Sequence, residues 1–228
     1  MIIPLLLLGI CGIGGGGFAL VHELTRGPTD AELAKASTAE VARRWQQLPA
    51  GQIFPATLSY TMPIGSGPGM ARLVGIAPMA TCSAASAPAA AAALLRHHCL
   101  GMLRATYADE TGTLLATIGV AVMPSGSAAA AAGEELGPPT RALHPAGFGG
   151  TVAAGFSDSS VLYFNFQVGG PYIVFDASGY ADHRVAANIN RTDTNPVNPL
   201  YFADGLANGV VYDLTKKIPP CKAVGVRC

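Results

Sequence analysis

Charged side chains are scarce in this sequence, and the two signs balance. Asp, Glu, Lys and Arg make up 12% of the 228 residues, and 14 basic residues oppose 14 acidic ones. In an average soluble domain about a quarter of the residues are charged. Proteins that bind nucleic acid or an anionic membrane surface carry a basic patch. The composition offers none, so we expect no nucleic acid partner.

Sequence motifs for catalysis or metal binding are also missing. The cysteines have neither the CxxC spacing of a zinc site nor an ordered set of further ligands near them. Gly65-Ser66-Gly67 lacks the five-residue form of a nucleophile elbow. Residues Gly12 to Gly17 satisfy GxGxxG, but Gly27-Pro28 interrupts the strand, turn and helix that a dinucleotide site needs. We therefore expect no enzyme, cofactor or metal.

The amino-terminal segment contains no charged side chain before Glu23, and residues 1–21 form one apolar run. At about 1.5 Å per residue, such a helix reaches about 31 Å, the thickness of a bilayer's hydrocarbon core. The run predicts a single transmembrane helix over residues 1–22. A cleaved secretory signal is the alternative, although no basic residue precedes Leu5 and no small-x-small cleavage site follows.

Small residues follow one side of this predicted membrane helix. Gly9, Gly12, Gly16 and Ala19 are spaced by three, four and three residues. Such a surface lets two membrane helices approach closely, so these residues are candidates for contact with another membrane protein. The alternative is that the glycines only make the helix flexible.

The four cysteines outside the membrane segment fall into two local pairs, Cys82 with Cys99 and Cys221 with Cys228. Four cysteines allow three connectivities, of which local pairing is the simplest. Disulfides persist in oxidising compartments, which favours a single-pass protein of the cell membrane whose carboxyl-terminal domain lies outside the cytoplasm. Four reduced, buried thiols in a cytosolic domain are the alternative.

Residues 23–49 are predicted to form a juxtamembrane stalk helix, which a capping box of Thr29 and Glu32 opens. Residues 50–228 follow as an extracytoplasmic domain. Their alternation of helical and extended segments predicts an α+β fold, with a mostly antiparallel sheet covered by helices on one face.

Two hairpins and a final helix stand out within this domain. Arg104–Asp109 and Thr113–Met123 flank a turn signal, and Val152–Phe156 and Val161–Val168 flank a serine-rich one. The last helix is predicted to start at Asn198-Pro199.

A ligand-binding patch is predicted at Asp182, His183 and Arg184, which follow a strand and combine three chemistries. Our leading hypothesis is a non-enzymatic accessory subunit that binds membrane or cell-envelope proteins. The alternative is an extracytoplasmic sensor that binds a small molecule or cell-wall fragment with aromatic side chains of its strands. Those side chains are Tyr163, Phe164, Phe166, Tyr172 and Phe175.

Overall fold

The computed structural model describes residues 26–61, 68–138, 141–185 and 197–217. They form an α+β fold, as predicted, built on a six-stranded antiparallel sheet. The helices are α1 (Asp30–Gln47), α2 (Ala50–Ile53), α3 (Cys82–Ala85), α4 (Pro88–Arg96), α5 (Gly126–Leu136) and α6 (Val197–Thr215). The strands are β1 (Thr57–Thr61), β2 (Pro68–Ala80), β3 (Gly101–Ala108), β4 (Leu114–Val122), β5 (Tyr163–Gly169) and β6 (Tyr172–Tyr180).

The strands lie in the order β1-β2-β3-β4-β6-β5, and every neighbouring pair is antiparallel. The predicted hairpin around residues 109–112 is confirmed, because β3 pairs with β4 there. The carboxylate of Asp109 shapes its turn by accepting from the backbone N–H groups of Thr113 and Leu114, both at 2.7 Å. An Asp that satisfies backbone donors in this way favours a tight turn.

The predicted hairpin between Val152–Phe156 and Val161–Val168 is wrong. Residues 152–155 form turns, and β5 instead pairs with β6 through a short connection at Gly170. Two local preferences explain the difference. Reciprocal hydrogen bonds between Ser157 and Ser160 favour a 3-10 turn over Asp158–Ser160, while Gly170 adopts the positive φ of 52° that a tight connection requires.

The expectation that helices cover one face of the sheet is also wrong, because both faces are covered. All nine residues of β4 are buried. Its Leu114, Ile118 and Val120 belong to a core shared with α6, and Leu115 and Ala121 belong to a second core with α3, α4 and α5. Alternate residues of a strand point to opposite faces, so an apolar run such as LLATIGVAV is buried on both sides.

The sheet curls around α6, which contacts both of its edge strands, β1 and β5. On the β1 side the rings of Phe202 and Tyr60 meet edge to face at 4.9 Å. On the β5 side the Asn165 amide donates to the Asp204 carboxylate at 3.0 Å. Helix α6 therefore fills the gap between two strand edges that do not pair with each other.

Helix α1 begins with the predicted capping box, in which Thr29 and Glu32 exchange hydrogen bonds with each other's backbone N–H. Its carboxyl-terminal half packs on the domain. The hydroxyl of Tyr172, in β6, donates to the Val41 carbonyl at 2.6 Å. Burial raises the pKa of Tyr172 to about 12, so this hydroxyl remains a donor at neutral pH. Its role as a stalk toward a membrane stays a prediction.

Arg44 joins α1 to the end of α6. Its guanidinium donates to the Glu40 carboxylate at 2.7 and 2.6 Å, and its Nη1 donates to the carbonyls of Asp213 and Leu214 at 3.1 and 2.9 Å. Only 2% of the Arg44 surface is exposed. The last carbonyls of a helix have no partner inside it, and a cation there also complements the helix dipole.

The structure contains a disulfide between Cys82 and Cys99, which confirms that prediction. The bond connects the start of α3 to the loop after α4. The predicted pair Cys221 and Cys228 lies outside the described residues.

Among the residues that the structure describes, no helix combines the length and apolar character needed to cross a bilayer. The predicted membrane helix over residues 1–22, with Gly9, Gly12, Gly16 and Ala19, lies outside that part of the chain.

We expect Arg44→Met to lower the free energy of unfolding by about 3 kcal/mol, because it leaves Glu40 half-buried without its partner and two α6 carbonyls without a donor. Arg43→Met, at an exposed position of the same helix, is the matched control and should change stability by less than about 0.5 kcal/mol. Urea unfolding followed by fluorescence measures both. Equal effects of the two substitutions would show that the α1–α6 link contributes little.

Replacing both Cys82 and Cys99 by Ala should lower the free energy of unfolding by about 3 kcal/mol, since the bond closes a loop of 17 residues. Dithiothreitol should destabilise the Cys221→Ser/Cys228→Ser variant, which retains this bond, by a similar amount. Alkylation of Cys82 or Cys99 in protein purified without reductant would contradict the assignment.

Candidate functional site

An open groove of about 700 Å³ lies between the middle of α1, residues 35–42, and the body of the domain. Helix α1 forms one wall, and the opposite wall consists of the β5–β6 connection, the loop before α5 and the residues that end α6. Two other cavities are smaller, at about 370 and 390 Å³. The groove brings together four segments that are far apart in the sequence.

The backbone of Gly170 sets the width of the groove. A Cβ atom at this position would lie 3.4 Å from Val41 Cγ1, and the positive φ of Gly170 already disfavours any other residue. Helix α1 can therefore approach the sheet at Val41. Beside this contact the apolar side chains of Ala39, Ala42, Pro124 and Pro171 line the groove.

Polar groups occur at only a few points of the groove. The exposed side chains of Lys35 and Lys217 lie at its rim, and Ser125, the N-cap of α5, lies in its wall. Ser37 also lines the groove, one helical turn before Val41 on the buried face of α1. Its hydroxyl is buried and has no hydrogen-bond partner among the described residues. Apolar walls with a few placed polar groups are typical of binding sites.

The predicted patch at Asp182, His183 and Arg184 lies at the exit of β6, and two of its residues line the smaller cavity of about 370 Å³. The Arg184 Nε donates to Asp182 at 2.8 Å, and its guanidinium stacks on the Tyr180 ring at 4.4 Å. Arg184 thereby lowers the pKa of the Asp182 carboxyl. The two charges neutralise each other, which leaves little net charge for a ligand.

His183 does not join its two neighbours. Its backbone has a positive φ of 58°, and its ring packs over Gly155, where a Cβ atom would lie 2.7 Å from the His183 Cδ2. The His183 Nδ1 is buried without a hydrogen-bond partner in the described part of the chain. The histidine therefore packs inward while Asp182 and Arg184 face solvent. Whether the patch binds a ligand stays a prediction.

Asp176 is a buried carboxyl group in β6, on the face that packs against α6. It is 1% exposed, and neither of its oxygens has a hydrogen-bond partner of normal geometry among the described residues. Burial, together with the nearby charge of Asp204, raises its pKa to about 8, while the Asn165 backbone N–H acts in the opposite direction. Asp176 is therefore mainly protonated at neutral pH.

Neither the groove nor the buried carboxyl group of Asp176 was predicted from the sequence. For Asp176 a signal existed, since an ionisable residue in the middle of the apolar strand YIVFDASGY is rarely buried without a partner. No comparable signal marks the groove. No group of three or more His, Cys, Asp or Glu residues in the described ranges could hold a metal ion.

Comparisons of the chain with models of protein families, with curated proteins and with solved structures gave no match. The function must therefore be argued from the geometry of the site.

Asp176→Asn should raise stability relative to the wild type increasingly between pH 5 and pH 8. The folded-state pKa of Asp176 lies above the unfolded value of about 4, so the wild type loses stability as pH rises between these values, by up to about 1.4 kcal/mol per unit. Urea unfolding at each pH measures the difference. Asp30→Asn, at an exposed position, is the matched control. A constant offset for Asp176→Asn would show that Asp176 is charged in the folded protein.

Proposed function

We propose that this chain is a non-enzymatic accessory subunit, anchored in a membrane, whose domain outside the cytoplasm binds a partner protein through the groove beside α1. The observation that carries the proposal is the groove itself. Its apolar side chains lie between α1, whose buried residues are Ser37, Val41 and Arg44, and three segments of the domain body. Grooves between a helix and a domain body commonly accept a helical or extended segment of another protein.

The disulfide supports the compartment in this proposal. A bond between Cys82 and Cys99 persists where thiols are oxidised, as outside the cytoplasm. The membrane anchor rests on the apolar run over residues 1–22 and is an inference from sequence.

Four of the five aromatic side chains behind the sensor hypothesis have structural roles. Tyr172 and Phe175 are fully buried, and the rings of Phe166 and Phe175 pack at 5.8 Å between centroids. Phe164 packs against the same core as Phe166. Side chains committed to a core are not available to a ligand, so protein binding is the function we favour.

Affinity purification of the full chain in mild detergent should recover a partner in stoichiometric amount, and Thr38→Trp should abolish this recovery. Thr38 lines the groove and is exposed, so an indole there fills the binding space without disturbing the core. Gln46→Trp, at an exposed position two turns further along α1, is the matched control and should leave recovery unchanged. Recovery of a clean monomer, or equal recovery with both variants, would count against a role for the groove.

A further inference from the structure

We infer that the partner segment in this groove carries a carboxylate, from Asp or Glu, between apolar residues. The carboxylate would lie between Lys35 and Lys217, at the amino terminus of α5. The inference rests on the proposed function and specifies the chemistry of the partner.

The lysines at the rim of the groove are available for such a partner. Neither Lys35 nor Lys217 forms an ion pair among the described residues, and none of the residues that line the groove is acidic. Lys216, next to Lys217, differs because its Nζ contacts the Asp213 carboxylate at 2.6 Å. In a chain with as many acidic as basic residues, two unpaired cations beside one apolar surface favour an anionic partner.

The amino terminus of α5 adds positive potential to the same wall. This helix has 11 residues, and its cap Ser125 accepts from the Ala128 N–H at 3.1 Å. Gly126, its first residue, lines the groove, and a Cβ there would lie 3.3 Å from the Gly170 carbonyl oxygen. The first N–H groups of a helix have no partner inside it and attract anions.

Ser37 is a buried residue in the wall of the groove. Its residue is 8% exposed, and its buried hydroxyl lacks a hydrogen-bond partner among the described residues. Leaving a buried hydroxyl unpaired is unfavourable for the fold. The hydroxyl is closed off from the groove as well as from bulk solvent, so Ser37 shapes the wall and offers no polar contact to an occupant.

The apolar walls favour a single carboxylate within an apolar segment over a highly charged anion as the occupant of the groove. Ala39, Ala42, Pro124 and Pro171 offer no hydrogen bonds from their side chains, so they suit the aliphatic neighbours of a single acidic residue. The two lysines and the helix terminus then compensate one negative charge.

The test selects random heptapeptides, displayed on phage, for binding to the full chain in mild detergent. We expect the enriched peptides to combine apolar residues with one Asp or Glu. Exchange of that residue for Gln or Asn in a synthetic peptide should weaken binding to the wild type about tenfold. The Lys35→Gln/Lys217→Gln variant should bind the acidic peptide about tenfold more weakly and should no longer distinguish it from the amide peptide.

Two single variants complete the test. Lys216→Gln, which changes a paired lysine, should bind the acidic peptide as the wild type does. Ser37→Ala should leave peptide binding unchanged and the free protein equally or more stable, because it removes an unpaired hydroxyl that the groove does not expose.

The possible failures are distinguishable. In one outcome, the selected peptides fail to bind the Thr38→Trp variant and yet bind without the two lysines or without an acidic residue. Such a result would overturn the inferred carboxylate and leave the groove as a binding site. Peptides that bind Thr38→Trp as tightly as the wild type, or a selection that enriches no peptide, overturn the proposed function as well.

Discussion

The guanidinium of Arg44 joins the beginning of the described chain to its end, and the placement of α1 along the domain depends on this link. It bonds Glu40 within α1 and the carbonyls of Asp213 and Leu214 at the end of α6. Helix α1 is thereby held against the domain near its carboxyl terminus, and residues 35–42 of the same helix form one wall of the groove. Helix α6 itself is held inside the curled sheet by its buried apolar side chains, among them Phe202, Leu206 and Val210.

Elements specified by neighbouring residues were predictable from the sequence. The capping box of Thr29 and Glu32, the β3–β4 hairpin and the disulfide between Cys82 and Cys99 are local, and the structure contains each of them. The number of covered faces was not predictable in this way. Both faces are covered because α6 packs on one face of the sheet and α3, α4 and α5 pack on the other. This arrangement depends on contacts between segments that are distant in the sequence. The supposed strand at 152–156 failed for a related reason, because its apolar residues pack as a turn.

The candidate site was less accessible to sequence reasoning than the fold. Asp182, His183 and Arg184 were recognisable as a chemically varied cluster, yet the structure turns His183 inward and pairs the other two. The groove joins Lys35, Pro124 and Lys217, which lie roughly 90 residues apart in sequence, so no local pattern indicates it. Sequence alone gives the residue types at such a site but not which of them become neighbours.

The position of α6 between β1 and β5 has a consequence for biosynthesis. Among the described residues each outer strand pairs with a neighbour on one side only, and the free edge of such a strand can recruit strands from other molecules when it is uncovered. Helix α6, residues 197–215, follows all six strands in the chain. During translation all six strands are therefore synthesised before the helix that covers their outer edges. Between the synthesis of the strands and that of α6, the nascent chain is most exposed to intermolecular strand pairing. A chaperone that covers the free edges of the sheet is most useful in this interval.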